Sequence, residues 1–185
     1  MILRNKDVTL RYIIENDIED YIRWTTTETE WGEWDAPWED DDSNDFVERQ
    51  RLALKDIPQF YSKLEIDDSS GQHIGWVSSY YIDGSKEKMA VGIDIPLVEL
   101  RGKGYGESAL SCFLAYLFNH LGHNILYAQT WSGNIPMLRL AEKVGFVEIE
   151  RVINLREVQG GLYDALTFSI SRGEFYDRYP ALHEV

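Results

Sequence analysis

A mixed α/β domain is the fold this sequence predicts, and three observations predict it. Strand-like segments with period-two alternation recur along the chain. Four helical stretches are interleaved with them. Turn-rich junctions join three of the strands in succession. Residues 7–14 (DVTLRYII) alternate Val8, Leu10, Tyr12 and Ile14 with more polar neighbours and read as the first strand. A short helix over 17–25 follows, with Asn16 or Asp17 as its cap. A second helix runs from Ser43 to about Asp56 and is ended by Pro58. Segments 59–66, 72–82 and 88–95 come next, joined by DDSSG and DGSKE, so an antiparallel meander is expected.

From Gly104 to Leu121 the spacing of Ala109, Leu110, Phe113, Leu114, Leu117 and Leu121 predicts a long helix stopped by Gly122. A strand over 124–130 follows it. Asn134 then caps a helix with Pro136 in its first turn and Gly145 at its end. Strands 146–156 and 162–170 flank a QGG hairpin turn. No repeat, linker or low-complexity segment divides residues 1–185, so one domain is expected, with mostly antiparallel strands and one parallel crossover around the long helix.

The charge is uneven. The 185-residue chain carries a net charge of −14, and residues 28–45 (ETEWGEWDAPWEDDDSND) hold nine carboxylates and no base. Trp24, Trp31, Trp34 and Trp38 sit in or beside that stretch. So acidic a chain is repelled by phosphate backbones and anionic lipid, which argues against a nucleic-acid or membrane-surface protein. Its one cysteine, Cys112, excludes an internal disulfide framework, and no cluster offers a thiolate metal site. No apolar signal core or membrane-length run is present, so a cytoplasmic protein is expected. His120 and His123 lie at a helix end without a third ligand nearby in sequence and read as surface or capping residues; Tyr80, Tyr81 and Trp131 read as core or cleft-wall aromatics.

The segment that carries chemistry is 93–110, IDIPLVELRGKGYGESAL, in which Arg101-Gly102-Lys103-Gly104-Tyr105-Gly106 opens a helix after a strand and a short loop. Glycines let the backbone curl around an anion, and the free N–H groups of a helix N-terminus face it with partial positive charge. Arg101 and Lys103 add full charges, so a pyrophosphate cradle is the physical reading; a turn that merely starts a helix is the alternative. The Gly-Lys here is followed by Gly-Tyr, which fails the Walker A pattern, and the G-x-G-x-G spacing fails the Rossmann one.

This run resembles the coenzyme-A-binding signature, Arg/Gln-x-x-Gly-x-Gly/Ala, of the GNAT family of N-acetyltransferases. The segment from Asn134 to Phe146 (NIPMLRLAEKVGF) is similar to the family's second motif, and Gly161–Leu166 (GLYDAL) to the closing hairpin of its ribosomal-protein N-terminal acetyltransferase branch. The resemblance implies a GNAT fold, a mixed, mostly antiparallel central sheet with flanking helices, and acetyl-CoA as co-substrate without a metal. It implies that the amides of Gly102, Lys103, Gly104, Tyr105 and Gly106 hold the pyrophosphate, and that pantetheine lies along the end of strand 88–95 in a V opened against strand 124–130. Pro96 has no N–H, so Ile93 and Ile95 are the expected backbone donors. Asn134 is expected near the sulfur.

Transfer to an amine needs a proton acceptor, and a proton for the leaving thiolate. The two positions where family members carry an acid are Ala141 and Met137 here. Base candidates are Glu33, Asp35 and Asp94, with Asp94 and Glu33 as the first choices. The resemblance places the segment between the first two helices at the acceptor site, so Trp31, Glu33, Trp34 and Asp35 are expected to bind the acceptor. A peptide N-terminus is one acceptor that fits; an aminoglycoside or polyamine is the other, and a coenzyme-A-binding module with little catalysis is a third reading. A monomer or homodimer is expected.

Overall fold

Alternation sorts the strands into one sheet of eight with a helical layer on each face. The computed structural model describes residues 2–38, 43–55, 57–84 and 86–184. In chain order the elements are β1 (Ile2–Asn5), β2 (Val8–Arg11), α1 (Asp17–Thr26), α2 (Ser43–Ala53), β3 (Lys63–Asp68), β4 (His73–Tyr81), β5 (Met89–Asp94), α3 (Tyr105–Leu121), β6 (Ile125–Trp131), α4 (Ile135–Val144), β7 (Val147–Val158), β8 (Gly161–Ser171) and α5 (Arg172–Arg178). The sheet order is β1-β2-β3-β4-β5-β6-β8-β7, and every neighbouring pair is antiparallel except β5 with β6. A parallel pair needs a crossover, and α3 supplies it.

Helix α3 is buried continuously from Ser108 to Phe118, as befits a helix apolar on all sides. It packs on sheet residues such as Leu10, Leu64, Ile66, Val77 and Val91, with α4 and α5 beside it. The opposite face of the sheet carries a smaller aromatic cluster: Tyr21 and Trp24 of α1, Val47 of α2 and Trp76 of β4. Helix α1 is tied down by charge. Arg11 donates to both oxygens of Asp17 (2.6 and 2.8 Å) and of Asp67 (2.6 and 2.7 Å). Asp17 also accepts the Ile14 N–H at 2.8 Å, so it holds the helix entry while Asn16 makes no side-chain cap bond. His73 completes the tie: its Nδ1 lies 2.9 Å from Asp20 and its Nε2 3.1 Å from Glu65.

Several elements differ from those the sequence predicts, the first strand being shorter (Val8–Arg11 against 7–14). The strand expected over 59–66 begins only at Lys63, because Phe60 stacks on Tyr116 of α3 (5.7 Å between centroids) and the Tyr61 N–H donates to the Tyr116 hydroxyl. Strand β1 and helix α5 have no counterpart in the sequence reading; α5 is set by a capping box between Ser171 and Glu174. Helix α2 stops at Ala53, and the expected terminus Asp56 lies outside the described residues, as do Glu39, Asp40, Asp41 and Asp42 of the acidic stretch. No described helix is long and apolar enough to cross a membrane.

Gly75 sits where β4 crowds β5: a Cβ there would lie 2.0 Å from the carbonyl oxygen of Asp94. Gly75→Ala is therefore expected to lower unfolding free energy by about 1–3 kcal/mol in urea titration, with larger losses if the strand pair separates. His73 gives a second expectation. Burial pulls its pKa down, but hydrogen bonding and charge from Glu65, with Asp17 and Asp20, outweigh that and hold it raised. Its stabilisation is complete below the unfolded imidazole value of about 6.5 and fades as pH rises through the higher folded value. His73→Gln should thus lower the melting temperature more at about pH 6 than at about pH 9.

Candidate active site

Strands β5 and β6 pair only at Ala90–Tyr127 and Val91–Ala128. Beyond that point β5 follows β4 through the Val77–Ile93 and Trp76–Asp94 pairs, while β6 follows β8 through Trp131–Ala165. The two strands separate, and a cleft of about 1100 Å³ opens between them. Gly92, Ile93, Asp94 and Ile95 form one wall; Gln129, Thr130 and Trp131 form the other.

One end of the cleft is the glycine run. Gly102 and Gly104 take left-handed φ values of 74° and 93°, which side chains strongly disfavour, and Gly104 occupies the N-cap of α3. The first amides of α3 have no intrahelical acceptor and no capping side chain. Gly102, Gly104 and Gly106 line the cleft; exposed Lys103 does not, and Tyr105 packs against the core instead. Cations that the sequence reading missed stand here: Arg139 and Lys143 of α4 line this end, with Lys143 2.8 Å from Glu107. Arg101 turns away from the amides. Its guanidinium donates to the carbonyls of Ile95 and Pro96, both at 3.0 Å, and pairs with Glu30 at 2.7 Å.

The other end is roofed by the segment after α1. Trp31 donates from its indole to the Trp24 carbonyl at 2.8 Å, and Trp34 donates to Glu30 at 2.8 Å. The carbonyl of Trp34 accepts from the Trp131 indole and from the Asn134 amide, both at 3.0 Å. Asn134 also accepts the Met137 N–H at 3.0 Å, so its capping role and its contact with the roof coexist. Trp31, Trp34 and Asp35 line the cleft. Glu33 does not: it is exposed and borders a separate hollow of about 420 Å³ beside Ser132 and Tyr163. Of the five described carboxylates in 28–45, Asp35 alone faces the cleft; Glu28 pairs with Arg23 and Glu30 with Arg101. The expectation of a broadly acidic acceptor wall therefore narrows to Asp35 and Asp94.

Asp94 is the most perturbed carboxyl of the cleft. Burial and the neighbouring Asp35 push its pKa well up, against the opposing pull of Lys63, Arg101 and a hydrogen bond from Trp76. Lys63, Arg49 and Arg156 line the same end. The alternation Lys63-Leu64-Glu65-Ile66 is the signal that would have found Lys63: the apolar pair lies in the α3 core, so the charged pair must face α1 and α2. Among other singled-out residues, His120 donates from Nδ1 to the Tyr116 carbonyl (2.9 Å), and burial raises the thiol of Cys112 to about 12.

A family model described as an acetyltransferase (GNAT) domain matches residues 7–147. The SPbeta prophage-derived uncharacterized N-acetyltransferase YokL of Bacillus subtilis (strain 168) is 26% identical over 109 residues, covering 58% of this chain and 60% of that protein. The chain thus matches less than two thirds of the length of this relative. Among solved structures, spermidine N-acetyltransferase from Vibrio cholerae, in complex with CoA and spermine, superposes with a TM-score of 0.73 at 19% identity, covering 92% of this chain and 99% of that one. The ribosomal-protein alpha-N-acetyltransferase RimL, in complex with coenzyme A, superposes with a TM-score of 0.75 at 12% identity, covering 94% and 99%. These two structures share the fold, and the match over 7–147 carries the sequence relationship: the chain belongs to the GNAT acetyltransferase domain family.

Proposed function

We propose that the protein is an N-acetyltransferase that moves acetyl from acetyl-CoA to a primary amine, with a peptide N-terminus as the acceptor class. The observation that carries this reading is the cleft itself, which has an uncapped helix N-terminus at one end and a half-buried carboxyl of raised pKa at the other. The cytoplasm, where acetyl-CoA is available, is the compartment this reading implies.

The residues present fit the co-substrate. Left-handed Gly102 and Gly104 leave open space where side chains would stand, and the α3 amides with Arg139 and Lys143 offer donors for a diphosphate. The edge of β5 at Ile93 and Ile95, past its last pair with β6, is where pantetheine would add as a strand. Bound acetyl-CoA supplies the thioester whose carbonyl an amine attacks. Asp94 takes the proton from the incoming ammonium, and its raised pKa makes it a better base than an exposed carboxylate. Asp35, beside it, keeps the local potential negative and favours the amine over other nucleophiles. Neither Ala141, fully buried, nor Met137, at the cleft wall, can give a proton to the leaving thiolate. No covalent enzyme intermediate is needed.

The cationic-amine alternative draws support from Asp35, Asp94 and the indoles around them, and from the fold neighbour that is a spermidine N-acetyltransferase in complex with CoA and spermine. The coenzyme-A-binding-module alternative predicts binding without release of free coenzyme A on any amine.

Two expectations follow from the site. Acetyl-CoA should raise the melting temperature, and Gly104→Asp should abolish that shift, because it adds a negative charge at the cradle and strains a left-handed position by about 1–2 kcal/mol. An unchanged shift in this variant would remove the cradle from the argument. Asp94→Asn should lower kcat/KM by about 100-fold or more. The wild-type rate should rise with pH as Asp94 ionises through its raised pKa, and the variant should lose that limb. Stability moves the other way: a carboxyl with a raised folded pKa loses its contribution as pH climbs past it, so Asp94→Asn should melt higher than wild type at alkaline pH.

A further inference from the structure

Lys63 has no part in the chemistry above, yet it is the most deeply placed cation of the acceptor end. It lies opposite Ser78 in the sheet, and Ser78 lies opposite Gly92. Glu65, Trp76 and Asp94 form the next such row on the same face. The Lys63 ammonium donates to Gln50 Oε1 at 2.7 Å. Its other neighbours are ring faces: Tyr21 at 4.5 Å, Trp76 at 4.7 Å and Phe46 at 5.4 Å. An ammonium has three N–H donors, so one hydrogen bond leaves two for a ligand in the cleft that Lys63 lines. No described carboxylate is ion-paired with it; Glu65 is spent on Tyr21 and His73, and Asp94 on Trp76. Burial drags its pKa down, with Arg49 adding to that, against the pull of Glu65 and Asp94.

A half-buried ammonium held by one amide oxygen and three rings is under-compensated, and a carboxylate is the group that compensates it. The surroundings agree. Arg49, 5.6 Å from the Phe46 ring, and Arg156, 4.3 Å from the Trp38 ring, line the same end of the cleft and add positive potential. Gly92 leaves a notch beside Ser78, since a Cβ there would meet Ser78 Oγ at 3.1 Å. Two strand spacings separate β3 from β5 at the backbone, and the Lys63 ammonium and the Asp94 carboxyl converge on Trp76.

We propose that Lys63 is the anchor for a carboxylate on the acceptor, so that the acceptor is an amine that also bears a carboxylate, with its amine at Asp94 and its acid at Lys63. The proposal rests on the acetyltransferase reading for the amine end and refines the acceptor to a short acidic peptide or its free-acid terminus. A polyamine would find Asp35 and Asp94 there but also three cations, Lys63, Arg49 and Arg156.

The test is a kinetic panel of four acceptors with acetyl-CoA: the dipeptide amides Ala-Ala and Ala-Glu, Ala-Ala with a free C-terminus, and spermidine. Wild type is expected to favour a carboxylate-bearing acceptor over the neutral amide by about tenfold or more in kcat/KM, mainly through KM. The Ala-Glu amide and the free-acid Ala-Ala tell a side-chain carboxylate from a terminal one. Lys63→Gln should erase the preference, and Lys63→Glu should turn it towards spermidine. Equal use of neutral and acidic amides by wild type, or a preference that survives Lys63→Gln, overturns the anchor while leaving the transferase reading intact. Should both variants fail to fold, tryptophan fluorescence of wild type decides: N-acetyl-Ala-Glu amide must bind and N-acetyl-Ala-Gln amide must not, and equal binding sinks the proposal. If no amine is acetylated but the blocked acidic peptide still binds, the transferase reading fails and the carboxylate anchor stands.

Discussion

Two strands with competing allegiances shape this molecule. β5 and β6 share only two residue pairs before each is drawn off by its antiparallel neighbour. The pull on β5 is visible at Gly75, where the absence of a side chain lets β4 press against the Asp94 carbonyl. Because the pair is parallel, the chain must cross the sheet between them, and the crossover helix begins at the mouth of the gap. One topological fact therefore creates the cleft, delivers uncapped amides to it and turns Asp94 towards it.

Charge is arranged more finely than the net value of −14 suggests. The acidic segment after α1 spends Glu28 and Glu30 on arginines and leaves Asp35 at the cleft. The Glu30–Arg101 pair joins that segment to the loop after β5, so Arg101 serves as a crossbar between the two ends of the cleft. On the α1 face of the sheet, Arg11, Asp17, Asp67, His73 and Glu65 hold α1 in place by opposite charges, most of them shielded from water. Such a network fixes orientation because breaking any partner strands a buried charge.

Much of this was legible in the sequence, and the reasons are local. Alternation in 72–82 and 88–95, the apolar run of α3 and the Asn134 to Gly145 caps each write their geometry in neighbouring residues. Strand β1 was not legible because four residues carry too little alternation, and the start of β3 was hidden because Phe60 and Tyr61 are strand-like in type but spend their rings on α3. Within the site, the glycine cradle announces itself through unusual composition. The partners of Asp94 do not: Trp76 and Lys63 reach it through sheet register, and Asp35 comes from the irregular segment after α1. Glu33 looked equivalent to Asp35 on paper, yet two positions along an irregular turn put it on the other side of the Trp34–Trp131 contact.

The roof over the acceptor end is fastened by the main-chain oxygen of Trp34, gripped by an indole and an amide from Trp131 and Asn134. A fastening of that kind does not care which side chain follows the carbonyl. The side chains of Asp35 and Ala36, which line the cleft, can therefore be exchanged while the roof keeps its place, whereas Trp131 and Asn134 cannot. Under the proposed transferase reading, the part that would choose a substrate is separate from the part that holds it, so a lineage carrying this fold could change its chemical taste without rebuilding its frame.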